Sequence, residues 1–172
     1  MKSPAAALLF VGFTAVLASA LLGWQELPQK MASHFNASGA ADGWMSRTPF
    51  VALMLAVGLS IPAFILVLLY GIRFLPSGVL NLPNPAYWRV QENYRGACEI
   101  LFRSALVFAG GFLLWEAAFL HLIVKANKTQ PPVLDASQAF LLTAILLVFA
   151  CGWIIALVAR FMKTGPPAET LP

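Results

Sequence analysis

"PFVALMLAVGLSIPAFILVLLYGI", Pro49 to Ile72, runs for 24 residues without an acidic or basic side chain. As a helix it would cover about 36 Å, more than the roughly 30 Å hydrocarbon core of a bilayer. A helix on the surface of a soluble domain keeps one polar face; this stretch has none, and it reads as a transmembrane helix. The pattern repeats on either side. Pro4 to Trp24 and Ala136 to Ala159 are likewise uncharged, and Ser104 to Val124 carries only Glu116 and His121. Backbone polar groups in lipid must be satisfied within the segment, so all of these spans should be helical.

Composition agrees. The 172 residues are 60% hydrophobic and 10% charged, with a mean hydropathy of +0.79, whereas soluble domains carry about 25% charged residues. The fold class is therefore all-α integral membrane: one four-helix domain over residues 1–172 whose spans are 4–24, 49–72, 104–124 and 136–159. The lipid bilayer is the first partner implied. The net charge of +4 comes from scattered bases that membrane topology explains, so nucleic acid is not expected. Cys98 and Cys151 lie in or beside apolar blocks and read as small buried hydrophobes.

The first span also resembles a secretory signal, with Lys2, an apolar run and Ala18-Ser19-Ala20. The run continues through Leu21 and Leu22 to Trp24, so a retained helix is the expectation. Orientation follows from the lysines and arginines. With the N-terminus inside, the inner side holds seven (Lys2, Arg73, Arg89, Arg95, Arg103, Arg160, Lys163) and the outer side four (Lys30, Arg47, Lys125, Lys128). Both termini are expected on the cytoplasmic side of the cell's inner (plasma) membrane, with residues 25–48 outside.

Thr48-Pro49 reads as a helix start, and Pro62 should kink the second span unless neighbours compensate. Ala15, Ser19 and Gly23 on the first helix, and Gly152 and Ala156 on the fourth, form small-residue seams suited to bundle packing. Between the second and third spans, Asn81 to Arg103 should form an amphipathic helix at the inner interface, entered through Asn84-Pro85. Tyr87, Tyr94, Cys98, Leu101 and Phe102 share its apolar side, with Trp88 at the edge. Trp24, Trp44, Tyr87 and Trp88 are candidate membrane-interface residues.

The outer loop holds "HFNASGAADGW", His34 to Trp44. Asn36-Ala37-Ser38-Gly39 and Asp42-Gly43 are turn sequences, so Met31 to Asn36 and Gly43 to Ser46 should pair as a short β-hairpin. His34 reads as a metal ligand with Asp42, as a pH sensor, or as the hydrogen-bonding residue that closes the loop. Two side chains fall short of the three or four ligands a metal site needs, so the closing role is favoured and no metal or cofactor is expected. Asn36 and Asn127 each begin a glycosylation sequon, a pattern too common to use. Glu116 is an expensive residue for a span: it should be protonated, paired or facing a wet cavity. His121 lies about 140° around a straight helix from it. Glu116, His121 and His34 together suggest a polar outer site for a proton, cation or ligand. Candidate ligand-binding residues are thus His34, Asn36, Asp42, Glu116 and His121.

The segment Leu27 to Arg47, "LPQKMASHFNASGAADGWMSR", resembles the characteristic segment of an uncharacterised bacterial membrane domain that also forms the N-terminal part of the Sdp immunity protein family. The matching positions are Leu27, Pro28, His34, Phe35, Asn36, Gly39, Asp42, Gly43, Trp44, Ser46 and Arg47. "NLPNPAYW", Asn81 to Trp88, is similar to a stretch that follows the second helix in such proteins. The resemblance implies a role in sensing, or in immunity against, a secreted peptide, and it supplies no catalytic residue. An accessory subunit of a larger membrane complex, or a homo-oligomer, is the alternative. An enzyme is not expected, because the chain shows no nucleophile–base constellation, phosphate loop or full metal motif.

Overall fold

The longest helix organises the rest. In the computed structural model, which describes residues 3–163, α4 (Gln91–Ala126) runs unbroken for 36 residues, about 54 Å. Around it lie α1 (Pro4–Glu26), α2 (Arg47–Gly71) and α5 (Ala136–Lys163), and a short α3 (Pro85–Trp88) precedes it. Between α1 and α2 the chain forms a two-stranded antiparallel hairpin, β1 (Lys30–Phe35) and β2 (Ala41–Ser46). Four of these helices are long and apolar enough to cross a membrane. Lys2, counted in the charge bias, lies outside the described residues.

The helices pack where side chains are small. On α1 the buried positions are Gly12, Val16, Ala20 and Gly23. This stripe shares Gly23 with the expected seam but otherwise lies on the neighbouring face, leaving Ala15 and Ser19 half-buried. A methyl group at Gly12 would stand 2.6 Å from the Gly110 carbonyl of α4, and one at Gly110 would meet the backbone of Leu8 and Leu9 at 2.8 Å. The α1 and α4 backbones therefore touch, the arrangement that small residues permit. The expected seam on α5 takes no part in such a contact: Gly152 has open space before it and, with Ala156, lines a cavity of about 640 Å³. Instead α5 is held by indoles. Trp115 Nε1 of α4 donates to the Leu142 carbonyl at 2.9 Å, and Trp153 Nε1 of α5 donates to the Ser104 carbonyl at 2.9 Å. Phe108 stacks on Phe149 beside them. Cys151 is exposed on α5, contrary to its reading as buried; Cys98 is buried.

The helix stays continuous through Pro62. The segment read as an interfacial helix is built differently. Its first part is the single turn of α3, and the chain then re-enters a helix at Gln91 that continues to Ala126 without a break. The apolar face expected for membrane contact packs inward: Trp88, Ala97 and Leu101 cluster with Phe161 of α5. Phe161 of α5 and Ile72, Leu80 and Leu82 from the chain after α2 cover that face. The Tyr94 hydroxyl sits 2.7 and 2.9 Å from the carbonyls of Ile72 and Leu75, so it pins the short turn of chain that follows α2 against α4.

Candidate functional site

The hairpin is assembled from its turn residues. The Asn36 side-chain oxygen accepts from the Ser38 and Ala40 backbone N–H groups at 3.0 Å each and from the Ser38 hydroxyl at 2.7 Å, the local bonding that favours asparagine in turns. Gly39 adopts a φ of +84°, and a side chain there would also run into the Leu134 carbonyl. The same contact lets Leu134 N–H donate to the Gly39 carbonyl at 2.8 Å, tying the hairpin tip to the α4–α5 connection. Pairing runs from Lys30 opposite Ser46 to Phe35 opposite Ala41, with register shifts on both sides of His34.

Two further ties hold the hairpin to the helix ends. Asn127, 8% exposed, caps α4 and reaches across to β1. Its Oδ1 accepts from Ala32 N–H at 2.7 Å, and its Nδ2 donates to the Ala32 carbonyl and to the Ile123 carbonyl at 3.0 Å each. Arg47, the first residue of α2, turns its Nη1 to the Trp24 and Leu27 carbonyls at 2.9 and 3.0 Å. Its guanidinium lies 4.8 Å from the Trp24 ring. A positive group there meets the negative end of the α1 dipole and satisfies carbonyls the helix leaves open. Lys128 and Glu26 add an ion pair at 2.7 Å. Beneath these polar ties lies an apolar cluster of Leu27, Met31, Phe50, Leu120 and Ile123, with Phe35 against it.

What remains exposed on the hairpin is a short list of functional groups. His34 Nδ1 and Asp42 Oδ1 are 2.5 Å apart, with side chains 72% and 44% exposed, which is the loop-closing role expected of His34. Trp44 is half exposed. Trp24 lies at the end of α1 beneath Arg47, and Tyr87 packs edge-on against Trp88. Trp88 itself is buried, which removes it from any membrane surface.

The five candidate ligand residues fall into three places. His34, Asn36 and Asp42 are together on the hairpin. Glu116 is buried on α4, facing Gly58 of α2 so closely that a methyl at Gly58 would overlap its carboxyl group. His121 is exposed and borders a separate cavity of about 250 Å³ with Lys125, Gln138 and Leu142, between α4 and α5. The combined site of Glu116, His121 and His34 is therefore not formed. Helical geometry is the reason: His121 is carried round to the α5 side, and the hairpin satisfies His34 within itself. No group of three His, Cys, Asp or Glu side chains converges among the described residues.

Asn127, Arg47 and Gly58 are the residues that sequence reading left without these roles. Asn127 appeared only as a sequon, and here its amide is buried in a structural contact.

Residues 9–59 match a domain of unknown function, DUF1648. The DUF1648 match runs from within α1, through the whole hairpin, to the middle of α2. It contains Arg47 together with its partners Trp24 and Leu27, and it contains Gly58, whose neighbour Glu116 on α4 lies beyond it. No curated protein and no solved structure matches the chain.

Proposed function

We propose that this chain is a multi-pass plasma-membrane protein of bacteria, with both termini cytoplasmic, whose outer hairpin recognises an extracytoplasmic ligand. One observation carries the reading. The hairpin is fastened to the helix ends by Arg47, Asn127 and Gly39, yet it leaves His34, Asp42 and Trp44 exposed. A fixed platform lowers the entropy lost on binding. An indole beside an imidazole–carboxylate pair offers an apolar contact, a donor and an acceptor, a combination suited to a peptide. The resemblance to the Sdp immunity family supports the same ligand class. The role is non-catalytic on this reading, which rests on the absence of a nucleophile–base motif in the sequence.

The test is a photoreactive side chain placed at Trp44 in native membranes, combined with thiol labelling of Ser38→Cys and Gly78→Cys from outside the cell. Ser38→Cys should label and Gly78→Cys should not, and crosslinks at position 44 should run to a peptide. Labelling of Gly78→Cys alone would reverse the orientation and remove the reading.

A second reading is favoured by α5, whose only buried side chain among those described is Phe161. Its row of Phe140, Ile145, Val148 and Ile155 is exposed and suits packing against a larger membrane complex or a second copy. Stoichiometric co-purification of that complex in mild detergent would favour the accessory role over the sensor.

A further inference from the structure

Glu116 projects from the middle of α4 at 7% exposure, and its Oε2 is buried without a hydrogen-bond partner. The group it faces is the backbone of Gly58, where any side chain would occupy the carboxyl's own volume. Four residues beyond Gly58 stands Pro62. Proline has no N–H, so the Gly58 carbonyl lacks its usual intrahelical donor. A carboxyl with one buried, unpartnered oxygen and a carbonyl deprived of its donor thus belong to one patch of the α2–α4 contact.

The surroundings are apolar. Val16, Leu113, Ala117, Leu55 and Leu59 cluster on one side, and Leu120, Phe50 and Val51 on the other. Among the described residues no charged group faces Glu116 from any packed element. Helix α1 is uncharged until Glu26, which pairs with Lys128. Helix α2 is uncharged between Arg47 and the segment that follows it, and α5 between Asp135 and Arg160. On α4 the nearest titratable side chain is His121, in the cavity on the α5 side. A charged carboxylate in such a place needs a counter-charge or several donors; the neutral acid needs neither.

We propose that Glu116 is a reversible proton-binding site whose occupancy sets how closely α2 packs on α4 at Gly58. With the proton bound, the carboxyl is neutral and rests against the glycine backbone. With the proton released, the anion cannot stay in that dry contact, and it draws in water as the two helices part. The proton is the ligand; a monovalent metal cation is the rival occupant that the test separates.

The experiment uses the full chain in lipid nanodiscs and a membrane-permeant carbodiimide, which reacts with protonated carboxyl groups in apolar surroundings. Modified peptides are mapped by mass spectrometry. Glu116 should be labelled and E116Q should not, and labelling should fall about tenfold per pH unit once the acid begins to ionise. Sodium at fixed pH should change nothing. Labelling that is absent at every pH, or that ignores pH, overturns the proposal, and protection by sodium replaces it with a cation site. Where E116Q does not fold, infrared spectra of the wild-type protein carrying isotope-labelled glutamate decide the matter. A protonated-acid carbonyl band that disappears reversibly in alkali supports the site, and a band that never titrates sinks it.

Discussion

Asn127 holds Ala32 by both of its backbone polar groups, accepting from the N–H at 2.7 Å and donating to the carbonyl at 3.0 Å. A residue at the end of α4 thereby completes the hydrogen bonding of a strand 95 positions earlier in the chain. Replacing it with alanine strands the two buried backbone groups of Ala32, while the Ile123 carbonyl keeps the backbone N–H of residue 127. Asn127→Ala should lower unfolding stability by about 2–4 kcal/mol, read from denaturant or thermal unfolding in detergent. Asn127→Asp sets a buried carboxylate oxygen against the Ala32 and Ile123 carbonyls, and should be at least as destabilising as alanine at neutral pH. Equal stability of all three would show that the hairpin does not depend on this tie.

Arg47 spans two carbonyls of the α1 exit with one nitrogen while its plane covers Trp24. Lysine keeps the charge and loses the planar fork. Arg47→Lys should cost roughly 1–2 kcal/mol, and Arg47→Ala roughly 2–4 kcal/mol. Trp24 fluorescence in a background lacking the other tryptophans should report the loss of the covering guanidinium.

His34 and Asp42 pair at the surface, where ion pairs contribute less than about 1 kcal/mol. His34→Ala and Asp42→Asn should therefore leave stability nearly unchanged and yet abolish ligand-dependent crosslinking at position 44. Loss of stability with unaltered crosslinking would assign the pair to the hairpin's architecture instead.

Asp135 caps α5. It accepts from the Ser137 hydroxyl at 2.5 Å and from the Ser137 and Gln138 N–H groups at 3.1 Å each. These bonds, the Ser137 hydroxyl foremost, hold the carboxyl below the usual carboxylate range. The folded group is thus the stronger acid. Its stabilising effect is complete above the unfolded value and lost as pH falls through the folded one. The first turn of α5 should fray below about pH 4, seen as faster amide exchange there. Asp135→Asn should remove that extra acid sensitivity when compared at matched pH, and an unchanged acid response in this variant would place its origin elsewhere.

The apolar blocks were legible because a charge-free run of this length has few alternatives. Pro4–Glu26, Arg47–Gly71 and Ala136–Lys163 end within a few residues of each reading. The hairpin was legible too, since Asn36 and Gly39 carry local turn chemistry; Asp42-Gly43, expected as a second turn, lies instead inside β2, with Gly43 opposite His34. Contacts between distant segments left no such mark. Gly58 looks like any small residue in a span until Glu116 is placed against it. Asn127 looks like the first residue of a loop until Ala32 arrives beside it. The face carrying Trp88 and Leu101 was correctly read as apolar, but periodicity cannot say whether a protein helix or lipid covers it; Phe161 decides that. The 140° between Glu116 and His121 was legible from their spacing, but not which neighbour each side would meet: α2 at Gly58 for the one, the α5 side for the other.

The unbroken course of α4 has a mechanical consequence. Asn127 grips the hairpin at one end, and Tyr94 grips the chain after α2 near the other. Both belong to a single rod about 54 Å long. A load on the hairpin would reach the far end as translation or rotation of that rod, with no relay of side chains switched in turn.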